Sequence, residues 1–152
     1  MKKVLIEKRS GHPVSAFLEV PENAKGIVQA VHGLTSSKEC STYKMLFRKM
    51  PAAGYGVLGI DLPGHGYEES YEEELTIQGA IDSIEAAEKY AAELYPDKTI
   101  CYFASSFGAY LTMLYMSRRE HKGRKAENGP FVNDRMLQFV EVCGILKKKH
   151  GN

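Results

Sequence analysis

The sequence of 152 residues predicts an α/β fold, a mostly parallel sheet with helices on both faces. Short apolar runs alternate with longer segments whose apolar residues recur at helical spacing. Strands joined through helices in this way pair in parallel by right-handed crossovers. In addition, three of the apolar runs stop abruptly in turns rich in chemistry. These turns are His32-Gly33-Leu34, Asp61-Leu62-Pro63-Gly64-His65-Gly66 and Ala104-Ser105-Ser106-Phe107-Gly108. Ligands of open α/β sheets gather at the carboxyl ends of strands, so all three turns are expected on one rim.

The elements follow in order. Lys3–Lys8 and Val14–Val20 read as a β-hairpin around Ser10-Gly11-His12-Pro13, with His12 as a turn residue. Pro21–Ala24 is a loop, and Gly26–His32 is a buried strand. Ser41–Ala53 reads as a helix with Tyr43, Leu46, Phe47 and Met50 on one face and Pro51 disturbing its last turn. Gly56–Ile60 is the fourth strand. Tyr67–Leu75 holds Glu68, Glu69, Glu72, Glu73 and Glu74 and reads as a solvated charge run. Thr76 caps a helix over Ile77–Leu94, whose core stripe is Ile77, Ile81, Ile84, Ala87, Ala91 and Leu94. Pro96 and Asp97 break that helix, Thr99–Phe103 forms the fifth strand, and Ala109–Arg119 suits a further helix.

Ser106 stands at the tip of a strand–tight turn–helix segment. Small residues on both sides, Ala104 and Gly108, let such a turn close with the serine side chain clear of the backbone. The helix that follows offers free N–H groups, which favour negative charge. Taken alone, A-S-S-F-G is also an ordinary turn composition. Its weight comes from the two companion turns.

With H-G-L at 32–34, D-L-P-G-H-G at 61–66 and A-S-S-F-G at 104–108, the sequence resembles the α/β-hydrolase family. The likeness is to its monoglyceride-lipase, esterase and serine-aminopeptidase branch and covers roughly residues 1–120. Ala104 stands where G-x-S-x-G has its first glycine. The resemblance implies a nucleophile at Ser106 and an oxyanion hole made by the backbone N–H groups of Leu34 and Phe107. His32, Gly33, Asp61, His65 and Gly108 then have structural roles beside the site. It implies a small-molecule acyl substrate, a carboxylic ester rather than an amide, and no cofactor. A zinc site from His32, Asp61 and His65 is set aside, because His65 lies between two glycines and no H-E-x-x-H pattern occurs.

Other features bound the function. A net charge of +1 gives no sign of a nucleic-acid partner, and no apolar stretch is long enough to span a membrane. Glu7 ends the apolar run after Met1-Lys2-Lys3 too early for a signal peptide. Cys40, Cys101 and Cys143 lack motif spacing, so free thiols and a cytoplasmic protein are expected, with Cys101 a small core residue.

The resemblance stops after Arg119. Residues 1–119 read as a partial α/β-hydrolase core whose C-terminal strands are missing, and 120–152 as a polar, basic tail. Residues 118–152 hold 9 of the 20 Lys and Arg but only 4 of the 19 Asp and Glu, which marks a solvated surface. Apolar positions within 131–149 are compatible with a helix. Asp134 and His150 follow Ser106 in the serine–acid–histidine order of the family. Against that triad, His150 lies two residues from the end of the sequence, where fraying is expected, and His121 lies beyond the far end of the helix that starts at Ser106. The reading is a truncated, impaired ester hydrolase; the alternative is a non-catalytic remnant or binding module without turnover. Loss of the last strands leaves the fifth strand as an open edge, which predicts self-association.

Overall fold

Alternating apolar residues build the first layer of the fold. In the computed structural model, which describes residues 1–9, 11–66, 71–121 and 140–141, β1 (Lys2–Ile6) pairs antiparallel with β2 (Val14–Glu19). Val14, Ala16 and Leu18 of β2 point inward while the residues between them stay half-buried. β2 runs antiparallel to β4 (Gly56–Ile60), and β4 pairs in parallel with β3 (Gly26–Val31). β5 (Thr99–Ser105) lies parallel to β3 on its other side. The strand order is β1-β2-β4-β3-β5-β6, where β6 is the two-residue strand Val140–Glu141.

Every residue of β3 and β4 is buried, because helices cover both faces there. Ile27, Val31, Leu58, Ile60, Ile100 and Tyr102 share one core with α2 (Ile77–Leu94) and α3 (Phe107–His121). Ala30 and Val57 face the other way, against Tyr43, Leu46 and Phe47 of α1 (Ser41–Ala52). Gly59 makes room for that second layer, since a Cβ there would lie 2.8 Å from the Tyr43 ring. The Tyr43 hydroxyl donates to the carbonyls of Ala30 (2.6 Å) and Ile60 (3.2 Å), tying the ends of β3 and β4 together. Burial pushes the Tyr43 hydroxyl well above the usual tyrosine range. Among the described residues, no helix is long and apolar enough to cross a membrane.

Several expectations are corrected. Ile77 and Leu94 are exposed rather than part of the α2 stripe, and Ala80 takes a place in the core instead. The two exposed residues are the first and last of α2, outside the buried stretch from Ala80 to Ala91. β5 runs to Ser105, two residues further than its apolar pattern indicates. Its edge is not wholly open, because β6 pairs with it in parallel at Ala104 and Ser105. Val140 and Glu141 are therefore strand, not helix, and the other residues of 131–149 lie outside the described residues.

The acidic run also divides. Glu72 and Glu73 are exposed, but Glu74 accepts hydrogen bonds from Lys8 Nζ at 2.8 Å and from the His12 backbone N–H at 3.0 Å. The His12 ring lies against the same carboxylate, with Nδ1 2.6 Å from Oε1. The Lys8 hydrogen bond, with help from His12, lowers the Glu74 carboxyl to about 2. This pairing pins the β1–β2 turn to the start of α2, whose N-cap Thr76 accepts from the Gly79 N–H at 2.9 Å. Glu68 and Glu69 lie outside the described residues.

Candidate active site

The turn after β5 is shaped by backbone packing. Ser106 has φ 50°, the left-handed region that costs a non-glycine residue strain and is kept only where its surroundings enforce it. α3 begins at the next residue, and the N–H groups of Ala109 and Tyr110 donate to the Ser106 carbonyl at 3.0 and 3.2 Å. The first turn of α3 sits directly on the end of β3. A Cβ on Gly108 would lie 2.2 Å from the His32 carbonyl oxygen and 2.5 Å from that of Val31, so only glycine fits. Ala104 keeps its methyl group in the core. Ser106 itself is exposed at the top of the sheet.

Gly33 brings the second turn to the first. A Cβ on Gly33 would lie 3.3 Å from Ser106 Cβ, so the loop after β3 touches the serine through a residue with no side chain. Leu34 follows, 55% exposed, and Thr35 turns the chain with φ 63°. Leu34 follows Gly33, the residue packed against Ser106, and Phe107 follows Ser106 in sequence. Among the described residues, the backbone N–H of neither donates a hydrogen bond.

The third turn, after β4, holds this loop in place. The buried His32 ring accepts from the Leu62 N–H at Nε2 (3.0 Å), which leaves Nδ1 to donate to the Gly33 carbonyl at 2.7 Å. Burial lowers its pKa to about 4, opposed by the Gly33 hydrogen bond and by Asp61, whose Oδ1 lies 3.9 Å from Nε2. His65 is built the same way: Nε2 accepts from the Thr35 N–H at 3.1 Å and Nδ1 donates to the Pro63 carbonyl at 2.9 Å. Both imidazoles thus spend both nitrogens on backbone groups. Neither has a lone pair left to deprotonate Ser106 or to bind a metal.

Asp61 completes the clamp with a partner that the sequence reading did not single out. Its carboxylate accepts from the Lys38 backbone N–H at Oδ1 and from Lys38 Nζ at Oδ2, each at 2.6 Å. Lys38 is only 5% exposed and Asp61 6%, so this is a buried, doubly bonded ion pair. No local pattern marks Lys38. A lysine after T-S-S reads as solvated loop until Asp61, 23 residues away, is folded over it. The structure brings Ser106, Phe107, Gly108, His32, Gly33, Leu34, Asp61 and His65 to one rim. Asp134 and His150 lie outside the described residues.

A family model described as serine aminopeptidase, S33, matches residues 22–142. No curated protein sequence matches the chain. Among solved structures, Est1E from Butyrivibrio proteoclasticus with bound ferulic acid is 24% identical, with a TM-score of 0.67 over 77% of this chain and 48% of its own. A thermostable carboxyl esterase from Bacillus coagulans, in complex with glycerol, is 21% identical, with a TM-score of 0.69 over 94% of this chain and 44% of its own. XC6422 from Xanthomonas campestris, an α/β serine hydrolase without a lid, is 17% identical, with a TM-score of 0.66 over 93% and 69%. These likenesses establish the fold. The chain spans about half the length of the first two, at 48% and 44%.

Proposed function

The chain belongs to the serine aminopeptidase, S33, family of α/β-hydrolases, and from that premise we propose that it acts on carboxylic esters through an acyl intermediate on Ser106. The observation that carries this reading is the left-handed Ser106, exposed at the start of α3 and in contact with the loop of Gly33. In the proposed reaction Ser106 Oγ attacks the ester carbonyl and its proton passes to a base. The carbonyl oxygen becomes an oxyanion held by the N–H groups of Leu34 and Phe107. The alkoxide then leaves, protonated, and water releases the acid from the acyl-serine. Amides are the lesser substrates, because their leaving group needs fuller protonation.

No residue of the chain is assigned as the base or its orienting acid; Asp134 and His150, outside the described residues, keep only the order of the family. Turnover is proposed to be impaired. The core is assigned to residues 1–119, the basic tail to 120–152, and the setting to the cytoplasm. A second reading, a hydrolase scaffold that binds without turnover, is favoured by the incomplete triad, since no base for Ser106 is assigned among the described residues.

Incubation with p-nitrophenyl acetate, followed by intact mass and released nitrophenol, separates the two. The hydrolase reading predicts an acetyl adduct and nitrophenol release that both vanish in Ser106→Ala. Equal release by the wild type and Ser106→Ala would leave the binding reading.

A further inference from the structure

We propose that His65 is a positioning residue for the Leu34 N–H, acting through Thr35. The proposal rests on the assignment of that N–H as an oxyanion donor. Leu34 is more than half exposed, so packing does not hold it. The nearest fixed point on its C-terminal side is the Thr35 N–H, bonded to His65 Nε2 at 3.1 Å. The peptide that carries the Leu34 N–H is held on its other side, where the Gly33 carbonyl accepts from His32 Nδ1 at 2.7 Å and from the Ser36 N–H at 3.2 Å; the His65 bond fixes the next peptide, joining Leu34 to Thr35, and with it Thr35 at φ 63°, a conformation that relaxes unless something restrains it.

The turn around His65 aims the ring at this bond. Gly64 (φ 73°) and Gly66 (φ 99°) both take left-handed conformations, and a Cβ on Gly66 would lie 2.6 Å from Asp61 Oδ2. The ring is buried between the two turns, its centroid 5.0 Å from that of His32. Its other nitrogen, Nδ1, holds the Pro63 carbonyl at 2.9 Å. His65 therefore has two separable jobs: Nδ1 closes its own turn, and Nε2 restrains the donor loop.

Two amides separate those jobs. The Asn side chain reaches the position of Nδ1, and the Gln side chain that of Nε2. His65→Asn keeps the Pro63 bond and loses the Thr35 bond, while His65→Gln does the reverse. The experiment measures Thr35 amide exchange by NMR, and Ser106 acetylation by p-nitrophenyl acetate, in the full chain and both variants. In His65→Asn, Thr35 protection and the acetylation rate each fall by about tenfold or more, below the ~10²–10³ seen when an oxyanion donor is removed outright. In His65→Gln both stay within about threefold of wild type, as expected where an acceptor is kept.

The opposite ranking, Gln damaged and Asn spared, would overturn the proposal in favour of a role confined to the Pro63 turn. Equal Thr35 protection in all three proteins would also overturn it. A wild type that is never acetylated refutes the assignment of Ser106 and Leu34 instead, and Thr35 exchange still decides whether His65 restrains the loop. Should His65→Asn unfold, His65→Gln decides alone: retained Thr35 protection supports the proposal, and lost protection overturns it.

Discussion

The loop after β3 and the turn after β5 meet at Gly33 and Ser106, yet they are held by opposite means. The loop is held by side chains. His32, Lys38, Asp61 and His65 tie it to the turn after β4 from buried positions, and the Ser36 N–H closes it on the Gly33 carbonyl at 3.2 Å. The turn is held by the lack of side chains. Gly108 lets the start of α3 approach the end of β3 to distances that no Cβ permits, Gly33 packs against Ser106 where a Cβ would be tight at 3.3 Å, and Ala104 is buried in the core. Polar clamps can be loosened one atom at a time, whereas a steric fit fails as a unit. The first kind of support suits a loop that must aim a donor, and the second suits a nucleophile that must not move.

That contrast is open to breaking. The largest effect is expected for Gly108→Ala. Its methyl group would meet two carbonyl oxygens of the β3 end, at 2.2 and 2.5 Å, and neither is the tip of a flexible side chain. A loss of about 3 kcal/mol or more in urea denaturation is expected. An unchanged midpoint would mean that the turn is not sterically fixed.

Lys38→Met comes next, because it strands the buried Asp61 charge. A loss of about 3–5 kcal/mol is expected for breaking such a pair from one side. Adding Asp61→Asn should recover a large part of it. A double variant no more stable than the single one would show that the ion pair does not clamp the loop.

Acid should then loosen the loop before it loosens the hairpin. His32 has its folded pKa lowered to about 4 from 6.5, so the unfolded chain takes up its proton first as pH falls. The stability it contributes is complete above pH 6.5 and is lost progressively from 6.5 to about 4, on the order of 3 kcal/mol. Glu74, lowered to about 2 from 4.5, keeps its contribution above pH 4.5 and loses it between 4.5 and 2. Denaturation midpoints against pH, in the wild type and Glu74→Gln, should show two separate windows. A single step below pH 4.5, absent in Glu74→Gln, would remove His32 from the account.

Ser106→Gly is the smallest of the four, and its sign is reversed. Relief of the left-handed conformation should stabilise the chain by about 1 kcal/mol while abolishing any acylation. A loss of stability would mean that the serine side chain does more for the turn than its backbone costs.

The sequence and the structure agree most closely where the signal is local. β4 and α2 occupy the bounds that their apolar periods indicate, and the three turns fall on one rim because each closes a parallel strand. The positions of Ser106 and Gly108 are legible because a tight strand–turn–helix needs small residues at fixed offsets, whereas Gly33 opens a longer loop that reaches α1 only at Ser41. Lys38 is not legible, since its burial exists only once the β4 turn folds over it. Glu74 was hidden among like neighbours, and only the arrival of Lys8 and His12 from the hairpin distinguishes it. The apolar pattern ends β5 at Phe103, short of its end at Ser105, because the last two residues before the turn carry no β-forming side chains.

The most direct measurement is labelling of the purified full chain with a fluorophosphonate probe, read by intact mass beside Ser106→Ala. One adduct on the wild type and none on Ser106→Ala is the predicted result, and it would mean that the turn after β5 presents an activated serine. A folded wild type that stays unlabelled, or a Ser106→Ala that labels equally well, would contradict the assignment of Ser106 as the nucleophile of this chain.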